Sequence, residues 1–362
     1  MKKQKILVVG GYGHVGATIC KELGELYPGQ VYAAGRSMEK AEAFCRETAG
    51  KVRPLAFELR QPPEQELLAE VKLVVMCLDQ HDTAFAEQCL LSGTHYIDVS
   101  ASGAFLTRLE QWGRRSQAKV TGTAVLSIGL APGLTNLLAA HAHRLLEEVT
   151  ELDIFIMLGL GDRHGKAAME WTVDHLCTRY DVTQDHRRVS VESMTDGKLV
   201  DFGAKLGKKK AYRFPFSDQQ TLAGTLGVAS VSTRLCFDQE WVTRAVAAFR
   251  RSGICRLLKR PAVRKAVVES FLRWKWGDDL FAIKIEARGK AGNRAAMATC
   301  QLQGRDQSHM TAKVAAFAAK TLYSEDFPQG VYHIEQLFKW EQMQAWLPKE
   351  ADLQVSVSEL PR

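Results

Sequence analysis

The stretch KILVVGGYGHVG, from Lys5 to Gly16, decides how this chain is read. Ile6 to Val9 are uninterruptedly apolar and the run stops at Gly10, which predicts a strand buried on both faces of a parallel sheet. The glycines then match G-x-G-x-x-G as Gly11, Gly13 and Gly16. The triplet gains meaning from its setting: it follows a strand, opens an apolar-periodic helix over Ala17 to Leu26, and precedes a second strand over Val31 to Ala34. Gly11 permits a tight turn, Gly13 lets backbone approach a pyrophosphate, and Gly16 allows close helix–strand contact. The amides of Tyr12, Gly13, His14 and Val15 then face phosphate, assisted by the positive helix end.

About twenty residues on, a domain preferring NAD carries an acidic side chain for the ribose hydroxyls. This chain has Gly35-Arg36-Ser37 there. Without a carboxylate a 2′-phosphate is not repelled, Arg36 offers a planar fork to it, Ser37 adds a hydroxyl, and Lys40 sits one turn into the next helix. NADP(H) is the expected coenzyme.

Working outward, helical patterns over Met38–Thr48, Gln65–Val71 and Thr83–Ser92 alternate with strand patterns over Val52–Phe57, Leu73–Leu78, Tyr96–Val99 and Ala124–Ile128. That alternation predicts an α/β fold, a doubly wound parallel Rossmann sheet over residues 1–128. From Glu151 the segments ELDIFIMLGL, RRVSVESM and LVDFG, then FAIKIEARG and AAMATCQLQG turning near Gly289 to Asn293, look antiparallel. They predict a second, mixed α+β domain over 129–327. Met310–Leu322 reads as a helix and Gly330–Trp346 as an amphipathic region. The tail, 328–362, is expected to complete the first domain.

Composition sets bounds. The chain has 362 residues, more than one compact domain usually holds, with 46% hydrophobic and 25% charged residues. The net charge of +7 suits an anionic small molecule better than nucleic acid. Two basic stretches lack interleaved aromatics: Lys205 to Arg213 reads as a solvated loop, Arg250 to Lys265 as a surface or subunit-contact helix. Eight cysteines (Cys20, Cys45, Cys77, Cys89, Cys177, Cys236, Cys255 and Cys300) form no C-x-x-C pair. Reduced thiols in the cytoplasm are expected, with no disulfide framework and no metal site. His141 and His143, two apart, fall on different helix faces. No run is long and apolar enough to predict a membrane span.

Ligands of open parallel sheets sit beyond the carboxyl ends of the strands. That rule marks Cys77, Leu78, Asp79, Gln80 and His81 after the fourth strand, Ser100 to Ser102 after the fifth, and Gly129 to Gly133 after the sixth. The Asp79-Gln80-His81 cluster either lines the ribose and nicotinamide region or caps the following helix. Cys77 reads as a small buried residue rather than a nucleophile.

With the opening motif, HYIDVSAS (His95 to Ser102), SIGLAPGLTNLLA (Ser127 to Ala139), GDRHGKAAMEWT (Gly161 to Thr172), YRFPFSDQ (Tyr212 to Gln219), QGRDQSHMTA (Gln303 to Ala312) and GVYHIEQLF (Gly330 to Phe338) carry a family resemblance. The chain resembles the saccharopine dehydrogenase-like oxidoreductases in their shorter bacterial form. The resemblance assigns substrate binding and dimerisation to the second domain, 129–327. It implies a homodimer and NADP(H)-linked hydride transfer at a carbon–nitrogen bond: reduction of an imine, or oxidation of a secondary amine, joining an amino acid to a carbonyl compound such as a 2-oxo acid. The chain departs from the family at Ala101, where an acidic residue is common.

An imine accepts hydride best when protonated, so a proton donor or carboxylate is required nearby. Asp79, Asp98, His164 and Lys166 are the candidates, and Arg163, Glu170 and Arg213 could bind a charged substrate. Surface charge or helix support accounts for each of them equally well, and Asp98 equally fits a buried turn-holder. Two other readings stay open: an NADPH-binding regulator without turnover, and an NADPH-dependent carbonyl reductase, which the missing Tyr-x-x-x-Lys pair disfavours.

Overall fold

The computed structural model describes residues 3–59, 65–100, 102–162, 165–253, 257–258, 260–273, 277–348 and 351–360. By internal contacts it divides into two units, 1–134 with 309–346, and 135–308 with 347–362.

In the first unit, strands and helices alternate: β1 (Lys5–Val9), α1 (His14–Leu26), β2 (Val31–Gly35), α2 (Met38–Arg46), β3 (Val52–Ala56), α3 (Gln65–Glu70), β4 (Val71–Met76), α4 (Ala84–Leu91), β5 (His95–Asp98), α5 (Gly103–Ser116) and β6 (Thr123–Leu126). The strands pair in parallel, and with a late seventh strand, β15 (Gly330–His333), the sheet runs β15-β6-β5-β4-β1-β2-β3. This is the doubly wound Rossmann arrangement. The order reverses between β1 and β4, the crevice where such sheets bind ligands. Ile6, Leu7, Val8 and Val9, with Leu73 to Met76, are buried, as strands covered on both faces require.

The second unit holds α6 (Thr135–Arg144), β7 (Glu148–Leu158), α7 (Lys166–His175), β8 (Arg179–Gln184), β9 (Arg187–Glu192), β10 (Lys198–Asp201), β11 (Lys208–Arg213), α8 (Asp218–Leu226), β12 (Ser230–Phe237), α9 (Glu240–Arg251), α10 (Pro261–Arg273), β13 (Leu280–Ala291) and β14 (Arg294–Arg305). With β16 (Asp352–Glu359) from the end of the chain, its main sheet has the order β10-β11-β12-β7-β13-β14-β16, and β8–β9 form a separate hairpin. The β13–β14 hairpin turns on Gly292-Asn293, with Gly292 at φ +59°, a two-residue turn that needs a left-handed residue. After it come α11 (Gln307–Ser324), β15 (Gly330–His333), α12 (Ile334–Leu337), α13 (Trp340–Gln344) and β16 (Asp352–Glu359).

Five expectations need correction. Pairing of β7 with β12 is parallel, so the second sheet is mixed; alternation in sequence reports which face is buried, not strand direction. Lys208–Arg213 is not loop but β11, hydrogen-bonded to β10 and β12, with Ala211 and Tyr212 buried under a lysine-rich face. Arg250 to Lys265 is not one helix: α9 stops at Arg251, Gly253 follows at φ +72°, and Pro261 starts α10, as glycine beyond a helix end and proline at a helix start favour. The tail over 328–362 is shared, β15 extending the first sheet beside β6 and β16 pairing with β14 of the second. Finally, Cys177 is disulfide-bonded, whereas Cys20, Cys45, Cys77, Cys89, Cys236 and Cys300 are free thiols; proximity in space, not spacing along the chain, decides pairing. Among the described residues no helix is long and apolar enough to cross a membrane.

Candidate coenzyme site

The β1–α1 turn is built by close approach of backbone. Gly10 is the residue with left-handed φ, +83°, so the conformational demand assigned to Gly11 from sequence falls one residue earlier. Gly11 is needed for space: a Cβ there would lie 2.7 Å from the Val8 carbonyl oxygen and 2.8 Å from Ala33 Cα. A Cβ on Gly16 would run into the Gly10 carbonyl. Gly13, whose N–H donates to Gly10 O at 2.8 Å, caps α1 without contributing a side chain. The helix therefore begins at His14, three residues before the apolar pattern does, with His14 exposed and Val15 half-buried. Helix N–H groups in such a first turn have no intrahelical acceptor and suit an anion.

At the end of β2, Ser37 caps α2, its Oγ accepting from the Lys40 amide at 3.3 Å. The Ser37 amide donates to Tyr12 Oη at 3.1 Å. Arg36 and Lys40 are exposed. Arg36, Ser37, Lys40 and Tyr12 are thus gathered at one strand end.

Across the reversal point, Leu78 lies over Gly10, where a Cβ would meet Leu78 Cδ2 at 3.0 Å and Cys77 Cβ at 3.4 Å. Burial pushes the Cys77 thiol up to about 12, and the charge of Asp98 adds to the effect, which makes it a poor nucleophile. Asp79 is exposed. Asp98 is fully buried at the end of β5. Its Oδ2 accepts from Tyr96 Oη at 2.7 Å and Gln80 Nε2 at 2.8 Å, and its Oδ1 from the Ser100 amide at 2.8 Å. Gln80 also donates to Tyr96 Oη at 2.6 Å. Burial pushes the Asp98 carboxyl up to about 6, restrained by hydrogen bonds from Tyr96 and Ser100. Sequence reading missed Tyr96 and Gln80 as partners of Asp98. The signal was there for Tyr96: residues two apart on a strand share a face. At the end of β6, Ser127 Oγ lies 2.8 Å from His333 Nδ1 on β15, joining strands 206 residues apart.

The remaining candidates belong to the second unit. Lys166 opens α7 and is three-quarters exposed, 3.9 Å from Glu170 one turn on; Glu170 is also 3.7 Å from Arg264. Arg213 Nε donates to Asp196 at 2.9 Å. It lines a cavity of about 420 Å³ with Glu151, Asp153, Asp196, Lys198 and Arg234. Arg163, His164 and Ala101 lie outside the described residues.

Residues 6–126 match the saccharopine dehydrogenase NADP binding domain. The match covers the first unit's sheet from β1 to β6. The chain's fold over almost the whole length is similar to that of the apo saccharopine dehydrogenase (L-Glu forming) of Saccharomyces cerevisiae, at TM-score 0.67 and 12% identity, covering 98% of this chain and 100% of the yeast chain. Weaker likenesses are to aspartate dehydrogenase of Thermotoga maritima (TM-score 0.43, 14% identity, 90% of this chain and 99% of that one) and to the DAP dehydrogenase of C. glutamicum in complex with DAP (TM-score 0.44, 11% identity, 95% and 96%). No curated protein matches in sequence. Residues 6–126 thus match a nicotinamide-dinucleotide-binding domain, and the fold over almost the whole chain is similar to that of a saccharopine dehydrogenase.

Proposed function

We propose that the chain is an NADP(H)-dependent oxidoreductase acting at a carbon–nitrogen bond of an amino-acid-derived substrate, reducing an imine or oxidising the corresponding secondary amine. One observation carries the coenzyme part: the end of β2 has no carboxylate and instead brings Arg36, Ser37 and Lys40 together at the start of α2. The cradle fits a dinucleotide, because side chains at Gly11, Gly13 and Gly16 would fill or distort it. NADP(H), when bound, supplies or takes the hydride.

The chain's own contribution is binding, position and protons. Amides from Tyr12 to Val15 hold the diphosphate, Leu78 and Cys77 border the crevice across from them, and Arg36 pairs with the 2′-phosphate. Asp98 serves as a proton reservoir behind the carboxyl edge of the sheet, with Tyr96 and Gln80 fixing its orientation; the exposed Asp79 and Lys166 are further acid–base candidates, and His164 is retained as one from its sequence position. Arg163, Glu170 and Arg213 are proposed for a charged amino-acid substrate. A cytoplasmic homodimer belongs to the same reading, and exposed Val355 and Val357 on edge strand β16 are consistent with a partner there.

Equilibrium titration with NADPH and NADH tests the reading. Binding of NADPH at least tenfold tighter than NADH, with the preference abolished in Arg36→Asp, is expected. Equal affinities in the unaltered protein overturn the role of Arg36. NADPH consumption that requires both an amine and a 2-oxo acid or aldehyde then separates imine reduction from carbonyl reduction and from a regulator that never turns over.

A further inference from the structure

Tyr12 is the second residue of the phosphate loop, yet its side chain serves the end of β2. A Cβ built on Gly35, the last residue of β2, would lie 2.5 Å from Tyr12 Oη and 2.6 Å from both Cε1 and Cζ. The phenol ring therefore fills the space that any side chain at position 35 needs. Its oxygen accepts from the Ser37 amide at 3.1 Å. A phenol has one O–H to give, and with the lone pair engaged by backbone that hydrogen remains to be donated. Ser37 is arranged alike: its Oγ accepts from the Lys40 amide, leaving its own hydroxyl hydrogen to donate. Two O–H donors thus stand beside the exposed cations Arg36 and Lys40, and none of Gly35, Arg36 and Ser37 supplies a carboxylate, the first acid being Glu39 in the opening turn of α2. O–H donors beside two cations suit a doubly charged phosphate ester, whereas a ribose diol is best met by a carboxylate at the strand end, which accepts both of its hydrogens.

We propose that Tyr12 is a specificity-determining residue of the coenzyme site: its ring takes the volume over Gly35 that a ribose-binding carboxylate would occupy, and its hydroxyl donates to a 2′-phosphate on the adenosine ribose. The inference rests on the coenzyme reading above and adds a selection element outside Arg36, Ser37 and Lys40.

The test uses the full chain with four probes, NADPH, NADH, adenosine 2′,5′-bisphosphate and AMP, titrated calorimetrically. In Tyr12→Phe, which keeps the ring, NADPH and the bisphosphate weaken about tenfold, the loss of one hydrogen bond to a charged group, while NADH and AMP stay within twofold. Gly35→Asp alone gains no NADH affinity because the ring blocks the new carboxylate; Tyr12→Ala with Gly35→Asp gains it about tenfold. Unchanged NADPH affinity in Tyr12→Phe, an equal loss for all four probes, or improved NADH binding in Gly35→Asp alone overturns the inference while leaving the coenzyme reading intact. Failure of the unaltered protein to bind either coenzyme overturns both. Should the Gly35 variants not fold, the Tyr12→Phe titrations decide alone.

Discussion

Arg234 is buried against Asp153, with Nη1 2.8 Å from Oδ1, on neighbouring strands of the second sheet. Asp153 also accepts from Lys198 and Arg288 at 2.8 Å each and from Ser232 at 2.5 Å. Arg234 reaches on to Asp196, and Arg213 meets Asp196 from the other side. Every oxygen of Asp153 is satisfied inside the protein, so the group reads as a strut bracing β7, β10, β12 and β13.

The strut has a cost when one member is lost. Burial opposes ionisation of Asp153, but hydrogen bonds from Lys198, Ser232 and Arg288 and the charge of Arg234 outweigh it and hold the carboxyl well below the usual carboxylate range. Asp153→Asn leaves the buried Arg234 and the partly exposed Lys198 and Arg288 short of a partner and is expected to destabilise by about 3–5 kcal/mol, measured by urea unfolding at pH 7. A depressed folded pKa contributes stability above the unfolded value and loses it as pH falls, so the difference between variant and parent should shrink steadily below about pH 4. A constant difference down to pH 2 contradicts this assignment.

Asp98 has the opposite sign. Its carboxyl is raised from 3.8 to about 6, so the stabilisation it brings is present below about 4 and is lost as pH rises through 6. Relative to Asp98→Asn, the parent should lose up to roughly 3 kcal/mol between pH 4 and pH 7. Parallel chemical-denaturation series across that interval check it, and flat behaviour rules out a raised carboxyl. Tyr96→Phe removes one bond to the ionised form and should push the titration higher still, visible in a carboxyl-resolved NMR titration.

The glycines of the β1–α1 turn separate folding from binding. Gly16→Ala drives a methyl into the Gly10 carbonyl, and overpacking of that kind costs about 1–3 kcal/mol; coenzyme affinity should fall with stability. A Cβ on Gly13 meets only Gly10 O, at 3.0 Å. Gly13→Ala is expected to keep its melting temperature within a few degrees yet bind NADPH at least tenfold more weakly, because the methyl projects where phosphate must approach. Equal losses of stability and affinity in both variants would show that Gly13 is structural like Gly16.

How much of this was legible beforehand follows from what carries each feature. The parallel sheet was readable because strands buried on both faces must be apolar throughout, and the phosphate loop because its glycines sit at one fixed spacing between a strand and a helix. Lys208–Arg213 was not readable, since a lysine-rich face and a solvated loop have the same composition; only pairing with β10 and β12 separates them.

Sequence by itself determined the elements whose cause is local: the buried strand β1, the glycine turn, the lack of an acid at the end of β2, and a hairpin turn near Gly289 to Asn293, which the structure narrows to Gly292-Asn293. Tertiary structure alone decided what depends on residues distant in the chain. It set Tyr12 over Gly35, Gln80 against Asp98, His333 beside Ser127, β16 onto the second sheet, and Arg234 into the shell of Asp153. Periodicity records which side of an element avoids water, whereas a polar contact depends on where two separate backbones place their atoms to within a fraction of an ångström, and that is a property of the packed chain.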